Sequence, residues 1–234
     1  MEGRFPKGGL YVAFMNCGDS STEGEMNAWY NEVHVSDVTR AGIFHNATRY
    51  MNPEAQGTND DPRYLAIYET DREDVARAYA ENKSEMERWI RPWSETYGLH
   101  PAISVARRML FRRHGRTPIA FAGCIPRGLI LRLADCLDPE REAEFNWWYD
   151  YRRCFDILLT SAVTSASRYR NVSSVAGEPR YLALYETESD GHEALRQVRD
   201  RMDRSKGLDI AVTRYSGAFN LIFSESSAWA RSGV

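Results

Sequence analysis

The chain contains an internal repeat, and this repeat constrains its fold more than any other feature of the sequence. Residues 62–70 read PRYLAIYET and residues 179–187 read PRYLALYET, so eight of nine positions match. A second set recurs 119 positions later: Asn27, Trp29, Tyr30 and Asp37 match Asn146, Trp148, Tyr149 and Asp156. Matches of this length in a fixed order indicate a duplicated unit of about 115 residues.

The two copies show the same order of predicted elements. A short apolar segment, at 10–17 and again at 129–136, is typical of a strand that is covered on both faces. A helix, two strands joined by a polar turn, a long helix and a last strand follow, which gives the order β-α-β-β-α-β. Thr22 and Glu25 predict a capping box, and Asp138 predicts the N-cap of the corresponding helix. The chain divides into units 1–113 and 125–234 with a linker at 114–124.

A unit of this kind places both helices on one face of an antiparallel sheet and leaves the other face bare. Its strands carry apolar or aromatic residues at consecutive positions, as Tyr64-Leu65 and Ile67-Tyr68 show, so both faces require cover. The second copy in the same chain is the obvious cover. The sequence therefore predicts an α+β protein whose two antiparallel sheets pack face to face as an internal pseudo-dimer.

Two fused units of this order, with Trp29, Tyr30 and His34 spaced as W-Y-x-x-x-H in the first helix, resemble the dimeric α/β-barrel superfamily. The chain resembles the EthD-like and stress-responsive branch in particular. This resemblance implies two tandem ferredoxin-like units that form an intramolecular dimeric α/β barrel, with a pocket between helices and sheet. The superfamily includes cofactor-free cyclases, dehydratases and isomerases, monooxygenases, haem enzymes and ligand-binding modules, so the fold does not select an activity.

Composition excludes several classes of function. The chain has 30 basic and 33 acidic side chains, whereas a nucleic-acid surface needs a strongly basic face. Its apolar stretches are too short to span a bilayer, and its first residues lack a secretory signal. Four cysteines without a CxxC pair favour reduced thiols over disulfides or a metal site. We therefore expect a cytoplasmic protein that binds a small-molecule substrate, with a homodimer of the fused chain as a further partner and no nucleic acid, membrane or metal.

His34 is the first candidate for catalysis. In a regular helix Tyr30, His34 and either Asp37 or Val38 share a stripe, so Asp37 can accept a hydrogen bond from the imidazole and raise its basicity. This arrangement suits a general base near neutral pH, and its structural alternative is a histidine that is simply satisfied by Asp37. The second copy has Arg153 in place of His34, and an arginine cannot act as a base. Only the first unit is therefore expected to hold the active pocket, and Arg153 is left to hold an anion or to pair with Asp156.

Other candidates surround the same predicted pocket. His45 begins the second strand and is a candidate second acid or base, with a polar residue at the sheet edge as the alternative. Asn16 ends the first strand and can direct polar atoms into the cavity. Large aromatic residues, equally typical of a packed core, are candidates for substrate contact: Trp29, Tyr50, Tyr68, Trp89 and Trp93.

The arginines suggest structural roles. Arg49 and Arg168 occupy equivalent positions on the second strand of each copy, and we expect them to pair with Glu69 and Glu186 across neighbouring strands. The basic segment 106–116 is interpreted as a solvated strand edge that resists further pairing.

The function that these residues favour is a cofactor-independent acid/base enzyme of the lyase or isomerase type. It would act on a small apolar compound of aromatic or polyketide-like character, with His34 as the base and Tyr30, His45 or Asn16 stabilising an oxyanion. One alternative is oxidative, either a monooxygenase or a haem enzyme with His34 as axial ligand. The other alternative is a non-catalytic protein that binds a lipophilic small molecule.

Overall fold

The computed structural model describes residues 8–90, 100–115, 127–136, 138–173, 175, 177–204 and 218–224. The chain divides into two compact units, one made mainly of Pro6–Arg112 and the other mainly of Arg113–Glu225. The fold is mixed α/β, with antiparallel sheets and helices in both units. Most of the predicted linker 114–124 lies outside the described residues.

The first unit follows the predicted order of elements. Its strands and helices are β1 (Gly9–Cys17), α1 (Glu23–Trp29), α2 (Val35–Thr39), β2 (Asn46–Met51), β3 (Tyr64–Thr70), α3 (Val75–Ile90) and β4 (Ile103–Arg113). A π-helical segment, Tyr30–His34, joins α1 and α2 into one continuous helix. Strand β1 pairs with β3 and β4, and β2 pairs with β3, so the antiparallel order is β4-β1-β3-β2.

The second unit has the same arrangement. Its elements are β5 (Gly128–Ala134), α4 (Glu142–Trp148), α5 (Cys154–Leu159), β6 (Ser165–Asn171), β7 (Tyr181–Thr187), α6 (Gly191–Arg204) and β8 (Ala218–Ser224). The π-helical segment Tyr149–Arg153 joins α4 and α5. The antiparallel strand order is β8-β5-β7-β6. The element order predicted from the repeat is therefore present in both halves of the chain.

The helix N-caps differ in part from the prediction. Asp138 caps as expected, because its carboxylate accepts the backbone N–H of Glu140 at 3.1 Å. In the first unit the capping box of Thr22 and Glu25 does not form, and Thr22 makes no side-chain cap bond. Asp19 caps instead, since its Oδ1 accepts the Ser21 N–H at 2.9 Å. The cap lies one turn earlier because the chain first forms a short 3₁₀ turn, Ser20–Thr22.

Arg49 and Arg168 do not make the cross-strand pairs expected of them. The β2–β3 register places Asn46 opposite Glu69, and Arg49, three residues further along, points to the other face of the strand. Arg49 bonds instead to the helix, where Asn31 Oδ1 accepts at 2.7 Å. Arg168 is fully buried and forms its ion pair with Asp150 at 2.6 Å, also on the helix. Both arginines therefore tie a helix to its sheet.

Within the described residues no helix is long and apolar enough to cross a membrane. Cys17, Cys136 and Cys154 are free thiols. Cys124 lies outside the described residues.

We predict that Asp150→Ala destabilises the second unit by about 3–5 kcal/mol, because it leaves the guanidinium of Arg168 buried without its carboxylate partner. The matched change in the first unit is Asn31→Ala, which removes only a neutral acceptor from Arg49 and should cost about 1–3 kcal/mol. Urea unfolding followed by circular dichroism measures both variants. An equal loss in the two would contradict the proposed importance of the Asp150 charge.

Candidate functional site

A cavity of about 200 Å³ lies inside the first unit, between the β1–β4 side of the sheet and the helices. The α1–α2 helix supplies Tyr30, His34 and Val38, and α3 supplies another part of the wall. The remaining lining is mostly apolar and aromatic: Tyr11, Ala13, Met15, Phe44, Tyr79, Met86 and Val105, with Asn82, Lys83 and Arg108 as the added polar groups. A concave, largely apolar space with a few polar groups is typical of a small-molecule site.

The sheet provides the space because a small residue lies at its centre. The side chains of Tyr11, Ala13 and Met15 point to the same face of β1, and the small Ala13 leaves room between the two larger side chains. On β4, Val105 and Arg108 both line the cavity, although residues three apart in a regular strand face opposite ways. A register shift between Phe14 and Met15 explains this, since it lets β4 accommodate one extra residue.

The π-helical segment positions the polar side chains of the helix. The Val35 N–H bonds to the Tyr30 carbonyl, five residues back, so the segment turns more slowly than an α-helix. Tyr30, His34 and Val38 consequently line the cavity together. Asp37, which a regular helix would place beside His34, does not line it.

His34 lies in a different environment from the one predicted. Its ring stacks on Trp29, with centroids 5.2 Å apart, and meets the edge of Tyr30 at 4.7 Å. No hydrogen bond or ion pair joins it to Asp37 in the described part of the chain. Burial, together with the positive charges of Arg49 and Arg108, lowers the pKa of His34 to about 4. The imidazole is therefore neutral at pH 7, and the expectation that Asp37 raises its basicity is wrong.

A buried cation lies behind the tyrosine. The Arg49 guanidinium is 3.8 Å from the centre of the Tyr30 ring, and Tyr30 shares a 2.8 Å hydrogen bond with the Tyr68 hydroxyl. Burial raises the pKa of both tyrosines, which therefore stay neutral, and it lowers the pKa of Arg49 to about 10. This stack of Arg49, Tyr30 and His34 gives the cavity wall a positive potential and a fixed geometry.

Three further polar residues, Asn82, Lys83 and Arg108, line the cavity. Asn82 is 3% exposed, and its Oδ1 has no hydrogen-bond partner among the described residues, while its Nδ2 points to the Met86 sulfur at 3.5 Å. Lys83 and Arg108 are exposed at the rim, and neither forms an ion pair with the described part of the chain. A buried carbonyl without a donor is costly, so a ligand N–H or O–H group would satisfy it.

Several predicted residues are not brought to this cavity. His45 is exposed, and its Nδ1 lies 4.0 Å from Asp71. The Asn16 amide is consumed in ordering a loop, since Nδ2 donates to Thr58 O and Oδ1 accepts Arg63 N–H. Trp29, Tyr50 and Tyr68 are not part of the lining, although Trp29 and Tyr68 support His34 and Tyr30 from behind. The Trp89 side chain and Trp93 lie outside the described residues.

The second unit has different residues at the equivalent places. Arg153 takes the position of His34 at the end of the π-helical segment. Arg132 takes the position of Ala13, so a long cationic side chain replaces the small residue that opens the first cavity. The two units therefore present different side chains at equivalent positions, and their divergence in function stays a prediction.

Sequence reasoning missed much of the cavity lining. Tyr11, Ala13 and Met15 belong to a strand that is apolar on both faces, so alternation did not single out one face. The sequence pattern predicts that Arg108 belongs to a solvated strand edge. In the structure the bulge in β4 directs Arg108 toward the cavity. Asn82 carried a weak signal, because asparagine is unfavourable inside a helix and its presence there needs a reason.

The residues around His34 do not fit the haem alternative. The cavity is smaller than the ~300–1,000 Å³ usual for drug-sized ligands, and a porphyrin is larger than most of those. The His34 ring is also held flat against Trp29. In the described part of the chain no three His, Cys, Asp or Glu side chains form a metal-binding group.

Comparison with known proteins shows the fold. No protein-family model and no curated protein matches the chain. A mutant chlorite dismutase from Candidatus Nitrospira defluvii has a TM-score of 0.59 at 11% identity, over 93% of this chain and 91% of that one. A Fusobacterium nucleatum protein assigned as a monooxygenase has a TM-score of 0.53 at 6% identity, over 97% and 98%. Another protein, assigned as a chlorite dismutase, has a TM-score of 0.53 at 11% identity, over 94% and 95%.

These likenesses show that the chain has a mixed α/β fold like that of the structures assigned as chlorite dismutases and as a monooxygenase. Identities this low show the fold alone. The resemblance to the EthD-like branch stays a prediction.

We predict that His34 makes the protein less stable in acid. The unfolded chain protonates this histidine near pH 6.5, while the folded chain protonates it only near pH 4. The stability that His34 contributes is therefore present above pH 6.5 and is lost as the pH falls from 6.5 towards 4. Urea unfolding of the wild type and of His34→Gln at pH 7, 6, 5 and 4.5 measures the effect. As the pH falls, the unfolding free energy of the wild type should decrease more than that of His34→Gln. A difference between the two free energies that stays constant over this pH range would contradict the low pKa of His34.

Proposed function

We propose that the protein is an oxidative enzyme of the monooxygenase type, which binds a small phenolic or enolisable aromatic compound in the first-unit cavity. The observation that carries this proposal is a neutral imidazole in an apolar cavity whose nearest charges are all positive. Such a site stabilises an organic anion, and it has a base ready to accept a proton. The likeness in fold to proteins assigned as monooxygenases supports oxidative chemistry over a lyase.

The first step is removal of a substrate proton. His34 is a weak base, because burial and repulsion from the positive charges of Arg49 and Arg108 disfavour its protonated form. The same positive charges attract a substrate anion and therefore lower the pKa of the substrate acid. When the proton moves, the new imidazolium lies beside the new substrate anion, and the attraction between these opposite charges stabilises the pair in a largely apolar cavity. Tyr30 is held by Tyr68 and Arg49 and keeps the imidazole in position.

An electron-rich carbanion or phenolate can then react with O₂ without any other reductant. For a methylene group beside aromatic rings the overall change is R₂CH₂ + O₂ → R₂C=O + H₂O. The substrate is oxidised, one oxygen atom enters the product and the other leaves as water. All the electrons come from the substrate, so the residues of this cavity need only bind it, orient it and accept its proton.

A non-oxidative lyase or isomerase remains a second candidate, because it begins with the same proton transfer to His34. The two candidates differ in the fate of the substrate anion, since elimination, cleavage or isomerisation consumes no O₂. A protein that only binds its ligand would show neither reaction. Labelled oxygen and binding measurements separate these outcomes.

We also infer that each unit is ferredoxin-like and that the chain arose by tandem duplication. The strand orders β4-β1-β3-β2 and β8-β5-β7-β6, the matched π-helical segments and the PRYLA-YET repeats support this history. Duplication leaves one copy free to lose a side chain that the other copy needs. The pocket is therefore assigned to the first unit. The expected compartment is the cytoplasm.

We predict that oxygenation depends on His34 and Arg108. A panel of small phenols and enolisable aromatic ketones is tested with ¹⁸O₂, and mass spectrometry should find one labelled oxygen in the product. His34→Gln should lower kcat by roughly 10²–10⁴-fold, the usual contribution of a general base. Arg108→Gln should raise KM and lower kcat, because it removes charge that stabilises the anion. Arg107→Gln, the same change on the opposite face of β4, is the control.

Product that forms without ¹⁸O and without O₂ uptake would favour the lyase or isomerase instead. Tight binding of a compound that is recovered unchanged, and that His34→Gln still binds, would favour a binder. Equal effects of Arg107→Gln and Arg108→Gln would show that the cavity assignment is wrong.

We further predict that Ala13→Leu abolishes ligand binding. The isobutyl side chain of leucine would project from β1 into the cavity of about 200 Å³ and fill space that the ligand needs. Because that space is empty of protein atoms, the variant should fold with a stability change under about 1.5 kcal/mol. Ala13→Ser at the same position leaves the cavity open and is the control. Binding of the panel compounds by isothermal titration calorimetry separates the two variants.

A further inference from the structure

The second unit exposes a row of large apolar side chains along its first helix. Trp147, Tyr151, Phe155 and Leu159 are 58%, 43%, 40% and 80% exposed. The Trp147 and Tyr151 rings are 5.7 Å apart, so the row is continuous at this end. These four residues, here called the α4–α5 stripe, are not among the residues that line the first-unit cavity and take no part in the proposed chemistry.

The π-helical segment makes the stripe straight. In an α-helix residues four apart drift by about 40° around the axis, so three such steps would turn the row by about 120°. A π-turn absorbs one additional residue, which brings Leu159 back to within roughly 20° of Trp147. The four side chains therefore form one flat face rather than a spiral around the helix.

The first unit provides an internal comparison. The equivalent positions, 119 residues earlier, are Ala28, Glu32, Ser36 and Arg40, and all four are exposed. The same solvent-facing positions of the same helix therefore carry small or polar residues in one copy and large apolar ones in the other. The fold does not require apolar residues there, and the stripe needs an explanation specific to the second unit.

The size of the stripe suits the centre of a protein interface. A large apolar side chain presents ~150–250 Å², and exposed fractions of 40–80% leave roughly 400 Å² in the stripe. Two stripes packed together would bury roughly 800 Å². Flanking polar residues would bring the total towards the ~1,200–2,000 Å² of stable complexes. Trp, Tyr and Phe are also enriched at interface centres, and exposed Arg152 lies beside them.

We propose that the α4–α5 stripe is the interface through which two copies of this chain form a two-fold dimer. A two-fold axis near Arg153 would set the helices antiparallel, so that Tyr151 of one copy meets Phe155 of the other and Trp147 meets Leu159. In this pairing the bulkiest side chain of the stripe faces an aliphatic one at each end, and two aromatic pairs fill the middle. A patch complementary to itself closes after two copies, because each stripe is then covered by the other.

The test measures the mass of the full chain in solution. Sedimentation velocity of the wild type at several micromolar concentrations should give a species of twice 26.9 kDa. Trp147→Ser and Phe155→Ser, each at an exposed site, should raise the dimer dissociation constant by about 30-fold or more, as expected for loss of a hot-spot residue. Thermal unfolding of the monomeric variants should remain cooperative, because neither side chain belongs to the core.

Val33→Ser is the matched control, since Val33 is 43% exposed on the equivalent helix of the first unit. This variant should dimerise like the wild type. A wild type that is monomeric at all concentrations would overturn the proposal, and so would a dimer that neither Trp147→Ser nor Phe155→Ser weakens. Equal weakening by Val33→Ser would also overturn it, because the effect would then not be specific to the stripe.

Discussion

A buried arginine that lies against the tyrosine of a π-helical turn holds each unit together. Arg49 is 3.8 Å from the centre of the Tyr30 ring, and Arg168 is 4.4 Å from that of Tyr149. A guanidinium taken out of water must keep its hydrogen bonds, and both arginines find them on the helix above the sheet. The helix is thereby fixed in position and rotation over the strands, and the first cavity inherits both its shape and its positive potential.

The repeated frame explains how one chain can hold two different surfaces. Both units keep the arginine, the tyrosine and the π-helical turn, while the residues that the frame presents differ. In the first unit Ala13 and His34 face inwards around a cavity, and the outward positions of the helix are small or polar. In the second unit arginines take both inward positions, and the outward positions become the α4–α5 stripe. The proposed division of labour therefore places ligand chemistry in one unit and self-association in the other.

Much of the fold could be predicted because the repeat gives each element twice. The order of strands and helices and the cap at Asp138 follow from local patterns in the chain. The candidate site was predicted less well. Tyr30 and His34 do line the cavity, but the expected hydrogen bond between His34 and Asp37 is absent from the described residues, and Val38, the next residue of α2, lines the cavity instead. His45 and Asn16 have the right chemistry but lie on a solvent-exposed turn and in a loop contact.

The sequence by itself determined the internal repeat, the order of elements in each unit and the asymmetry between His34 and Arg153, because all three are recorded in the residues and their spacing. Only the tertiary structure decided the protonation state of His34 and the membership of the cavity. The histidine is neutral because tertiary packing buries it and brings the positive charges of Arg49 and Arg108, from other segments of the chain, close to it. Asn82 and Lys83 reach the cavity because of how α3 packs, and Arg108 reaches it because of the bulge in β4. Neither feature produces a periodic pattern in the sequence.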